Sequence, residues 1–60
     1  MAKYEVIVNG VTYGYTVREK YNGGTLINIW LNNKIIHQEF ISDYIMVTSE
    51  LVSEIIINLI

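Results

Sequence analysis

The chain has 60 residues, no cysteine, a single histidine and a net charge of −2. That excludes disulfides, a thiolate zinc site and a multi-histidine metal site within one chain, and it argues against a nucleic-acid binder that relies on a strongly basic surface. A single domain over residues 1–60 buries only about 60% of its unfolded surface. With 52% apolar residues, a partner subunit is the staple left to hold so small a core.

Residues 3–8 alternate, with Tyr4, Val6 and Val8 on one side and Lys3, Glu5 and Ile7 on the other, the period of a half-buried strand. Asn9-Gly10 follows, and both residue types tolerate the positive φ of a type I′ turn. A two-residue loop there pairs Val8 with Val11, Val6 with Tyr13 and Tyr4 with Tyr15, so apolar residues meet across the hairpin. The second strand, residues 11–20, has a turn signal on each side and is therefore central. Gly14 falls opposite Glu5, on the face away from Tyr13 and Tyr15. A glycine inside a strand marks a bulge or a close approach.

Asn22-Gly23-Gly24 forms the next turn. A three-residue loop pairs Val17 with Ile29 and Tyr15 with Leu31, whereas a two-residue Asn22-Gly23 loop sets Val17 against Asn28. Matching of the faces favours the three-residue loop. The third strand, residues 25–31, shows Ile27, Ile29 and Leu31 on one face and Leu26, Asn28 and Trp30 on the other. Asn32-Asn33 then turns the chain into a fourth strand from Lys34 to Phe40 or Ile41. In this register Ile29 meets Ile36, Trp30 meets Ile35, Thr25 meets Phe40 and Asn28 meets His37.

Ser42-Asp43 breaks the strand pattern. Thr48 suits an N-cap, and Glu50 suits the positive end of a helix. Leu51, Val52, Ile55, Ile56 and Leu59 recur at helical spacing, which predicts a helix over 49–59. A start as early as Asp43 is the alternative, and the β-branched content makes a fifth strand over 55–59 a competitor. The expected fold is α+β: a four-stranded antiparallel meander in the order 1-2-3-4, followed by one C-terminal helix packed on one face.

The helix is expected on the face of Tyr4, Val6, Val8, Val11, Tyr13, Tyr15, Val17, Ile27, Ile29 and Leu31, together with Ile36 and Phe40. The other face is polar on its first two strands (Lys3, Glu5, Thr12, Thr16, Arg18) and apolar on its last two. One short helix cannot cover both faces. Leu26, Trp30, Ile35 and Ile41, with Ile57 on the helix, are therefore the expected interface residues, because a Trp-centred apolar patch usually marks an interaction site. The alternative is that Trp30 packs under residues 42–47. Homodimerisation is expected through this patch or through an edge strand.

His37 shares a face with Glu39, the raw material for acid–base work or for a metal on a dimer axis. A solvated strand pair is the simpler reading, since nothing in the sequence makes a nucleophile, a base and an orienting group converge there. Ser42-Asp43 reads as turn chemistry rather than as part of a triad with His37. Tyr4, Tyr13, Tyr15 and Tyr21 with Trp30 could stack nucleobases, but the four basic residues are dispersed. Asn22-Gly23-Gly24 lacks the spacing of a phosphate loop. No catalytic residue, cofactor or metal is assigned.

Met1-Ala2-Lys3-Tyr4 runs straight into a strand, which leaves no signal peptide, and the apolar runs fall short of the ~20 residues that span a bilayer. A cytoplasmic protein is expected. The expected function is a non-enzymatic protein–protein interaction module, a homo-oligomer that binds and inhibits or adapts another protein. The proline-free composition, rich in Ile, Asn and Tyr, is that of AT-rich coding, as in many phages and mobile elements. The alternatives are a nucleic-acid-associated module using an aromatic sheet face, and a small-molecule sequestering protein with its site at a subunit interface.

Overall fold

A computed structural model describes residues 3–60. The chain forms β1 (Tyr4–Val8), β2 (Val11–Tyr21), β3 (Gly24–Leu31), β4 (Lys34–Ile41) and α1 (Ser49–Leu59). The four strands make one antiparallel sheet in the order β1-β2-β3-β4, and α1 packs against one face of it.

The first hairpin has the register its turn dictates. Tyr4 pairs with Tyr15, Val6 with Tyr13 and Val8 with Val11, around Asn9 and Gly10 at φ 51° and 78°. The second hairpin departs from expectation. Tyr21 pairs with Gly24 across a two-residue Asn22-Gly23 turn, yet Val17 pairs with Ile27 and Tyr15 with Ile29. The register shifts by one between Arg18 and Tyr21, where Lys20 takes φ 54°. The short turn alone would put the strands out of phase. The extra residue at this bulge brings the apolar faces back together.

A second bulge corrects the third hairpin. Leu31 pairs with Lys34 and Trp30 with Ile35, but Ile29 then pairs with His37 rather than Ile36. Ile36 is the extra residue, and everything after it changes sides. His37 lies opposite Ile29 instead of Asn28, and Thr25 faces Ile41 instead of Phe40. Phe40, paired with Leu26, joins the face of Trp30. Ile41 packs against the core beneath the helix. The Asn32-Asn33 turn, with both residues at positive φ, sets the register at the hairpin end. The bulge resets it so that the β-branched Ile41 lies inward against the core and the larger Phe40 ring outward.

The core joins Val8, Tyr13, Tyr15, Ile27 and Ile29 of the sheet to Val52 and Ile56 of α1. Ile27, Ile29, Val52 and Ile56 have no exposed surface, and each such burial contributes on the order of 2 kcal/mol. Thr48 caps α1: its extended backbone halts the helix, and its Oγ1 accepts a hydrogen bond from Leu51 N at 3.2 Å. The helix thus begins at Ser49 and not near Asp43, and residues 55–59 are helical rather than a fifth strand. Between β4 and α1 the chain is held by the buried Thr25. Its Oγ1 donates to Asp43 O at 2.9 Å and accepts from Ile45 N at 3.4 Å. Among the described residues no helix is long and apolar enough to cross a membrane.

Candidate interaction face

The face of the sheet opposite α1 is crossed by three rows of side chains. Gly14, Trp30 and Ile35 form one row, Thr16, Asn28 and Gln38 the next, and Arg18, Leu26 and Phe40 the third. These rows follow from strand alternation once the bulges at Lys20 and Ile36 are in place.

The middle row is a polar spine. Gln38 Nε2 donates to Asn28 Oδ1 at 2.8 Å, and Asn28 Nδ2 donates to Thr16 Oγ1 at 3.3 Å. Trp30 Nε1 donates to the same Thr16 oxygen at 3.2 Å. Thr16 is buried beneath these neighbours, and a buried hydroxyl must be paired to avoid its desolvation cost. The indole is thereby held in one orientation by a group that is itself fixed.

Cations stand over the outer rings. The Lys3 ammonium lies 4.4 Å from the centre of the Trp30 ring, and the Arg18 guanidinium 5.0 Å from that of Tyr21. Tyr21 in turn meets Phe40 edge-on, with ring centres 6.5 Å apart. Gly14 explains how Lys3 reaches its partner: a Cβ at this position would sit 2.9 Å from Lys3 Cδ. The mid-strand glycine is a passage for a side chain and carries no bulge. Gly24 is constrained more tightly, since a Cβ there would run into the Ile41 carbonyl oxygen and the Phe40 ring.

Of the expected interface residues, Leu26, Trp30 and Ile35 share this face. Ile41 does not: it lies on the helix side, half-buried against the core. Ile57 is exposed on α1, the element packed on the opposite face. Phe40 and Tyr21 take their place. The adjacent apolar pair Phe40-Ile41 conceals this exchange in the sequence, because either residue can serve either face. Residues 44–47 do not roof Trp30, since they lie along Tyr4, Tyr15 and Val17 on the other side of the sheet.

His37 and Glu39 also belong to the helix side, where Nε2 and Oε1 are 2.8 Å apart. Asp43 Oδ1 accepts from Tyr44 N at 2.8 Å, so the Ser42-Asp43 pair serves the turn. Among the described residues no group of three or more His, Cys, Asp or Glu is gathered as a metal site. The open face offers rings, amides and two cations at fixed positions, which is equipment for holding a ligand. Comparison with protein-family models, with curated proteins and with solved structures finds no match for the chain.

Proposed function

We propose that the chain is a non-enzymatic protein-interaction module that uses the Trp30 face, first to pair with a second copy of itself and then to bind and inhibit or adapt another protein. The observation that carries this reading is the fixed, partly buried Trp30. Its ring is oriented by Thr16, covered at one side by Lys3 and flanked by Ile35. Binding energy concentrates on such aromatic anchors, set among groups that exclude water. Pre-organisation lowers the ordering cost of binding. The small size and AT-type composition support a phage or mobile-element inhibitor acting in the cytoplasm.

Light scattering at two protein concentrations tests the first step. A mass near twice 6.9 kDa is expected, with Trp30→Ala shifting a still-folded chain toward monomer. A wild-type monomer at both concentrations that also captures no host protein through Trp30 overturns the reading.

A second reading has its own support. Two cations over aromatic rings, beside a row of amides, form a surface on which single-stranded nucleic acid can stack and hydrogen-bond. It requires salt-dependent retention of oligonucleotides that Lys3→Ala and Arg18→Ala weaken. No retention at low salt removes it.

A further inference from the structure

The helix side of the sheet holds a second concavity, remote from Trp30. α1 covers the sheet only in part, and beyond it residues 44–47 arch over Tyr4, Tyr15, Val17 and Glu19. Between them lies a cavity of about 490 Å³. Its walls present three tyrosines, Tyr4, Tyr15 and Tyr44, and one carboxylate, Glu19. The Tyr4 and Tyr15 rings are 5.3 Å apart and tilted by 31°, so they form one continuous aromatic wall. Ile45 and Val47 close the inner side. Tyr44 and Met46 stand at the rim, 62% and 87% exposed.

We infer that this cavity binds the ammonium side chain of a lysine, free or methylated, presented by a partner protein. Aromatic faces attract a cation through their quadrupole, and several rings converging on one space are the recurring solution for alkylated ammonium groups. The charge pattern agrees. Among the described residues Glu19 forms no ion pair with lysine or arginine. Its neighbour Arg18 points the other way, over Tyr21. No lysine, arginine or histidine lines the cavity, so the Glu19 carboxylate is its one charged group. A lysine stem is an apolar chain ending in a charge, and Val17, Ile45 and the flexible Met46 suit its methylenes. The site is distinct from the Trp30 face, so either can fail without the other.

The test is an NMR titration of the full chain with three blocked tripeptides, Gly-Lys-Gly, Gly-trimethyllysine-Gly and Gly-norleucine-Gly. The two cationic peptides are expected to shift the ring resonances of Tyr4, Tyr15 and Tyr44 in a saturable way, while the Trp30 indole N–H stays unmoved. Glu19→Gln and Tyr44→Leu, both at exposed positions where the fold tolerates change, are each expected to weaken binding by about threefold to tenfold. Equal shifts from the norleucine peptide would make the cavity a merely apolar groove and overturn the proposal. So would an unchanged affinity in Glu19→Gln. Saturation by tetramethylammonium chloride without binding of either cationic peptide would also overturn it, because the ligand would then be a free amine and not a partner's side chain.

Discussion

Lys3 crosses the sheet over Gly14 and sets its ammonium 4.4 Å from the centre of the Trp30 ring. Gly14→Ala would put a methyl group where the Lys3 stem lies. A flexible stem can move aside, and alanine suits a strand better than glycine, so stability should change by less than about 1 kcal/mol. The cation should leave the indole. Trp30 fluorescence in Gly14→Ala is therefore expected to match that of Lys3→Ala in the wild-type fold. If it matches wild type instead, the passage over Gly14 does not position the lysine.

The two glycines of the second turn should respond very differently to one added methyl. At Gly23 nothing lies within reach and only the positive φ of 80° opposes alanine, a cost of about 1–2 kcal/mol. At Gly24 the methyl meets backbone, the Ile41 carbonyl, as well as the Phe40 ring. Such overpacking costs about 1–3 kcal/mol or more, against a total stability of roughly 3–9 kcal/mol for a chain this size. Urea denaturation should rank Gly24→Ala below Gly23→Ala.

Deleting Ile36 should leave a folded protein. Without it Ile35 is followed by His37, and the pairs Trp30 with Ile35 and Ile29 with His37 become consecutive. The bulge disappears and both faces are kept. Deleting Gln38 can be absorbed by the same loss of the bulge, which keeps Glu39, Phe40 and Ile41 on their partners but sets Ile36 opposite Ile29 and His37 opposite Asn28, so the polar row loses its Gln38–Asn28 bond. Circular dichroism and amide spectra of the two deletions decide the matter, and an unfolded Ile36 deletion would contradict the register.

Two threonines hold the end of the chain by different means. Thr48→Ala removes the cap of α1 and should cost about 1 kcal/mol, lowering Tm by roughly 4–8 °C. Thr25→Val removes both bonds to the 43–45 segment, at about 1–2 kcal/mol. Only the second change should raise hydrogen exchange at Ile45 and loosen the arch over the tyrosine cavity.

The parts of the fold that could be read from the residues are those where two local signals agree. Asn9-Gly10 and the flanking alternation specify the same register, and Thr48 and the spacing of Leu51, Val52, Ile55 and Ile56 specify the same helix. The bulges escaped because nothing local marks them. Lys20 is no habitual positive-φ residue, and Ile35-Ile36 is a pair in which either member fits either face. The same ambiguity exchanged Phe40 and Ile41, so the aromatic content of the open face was underestimated. The placement of Lys3 and Arg18 over rings depends on how far long side chains reach across strands, which alternation does not encode. Leu26, Trp30 and Ile35 were legible because they lie before or at the edge of the second bulge.

The kink at Ile36 also shapes the outer edges of the sheet. β1 and β4 are the outer strands, and an outer strand offers free N–H and C=O groups on which further chains can add without limit, the route to fibres. β1 has only 5 residues, and β4 is bent near its start by the unpaired Ile36. Neither presents a long straight template. A very short strand and a bent one are poor templates, so growth by strand addition is blunted on both sides of the sheet.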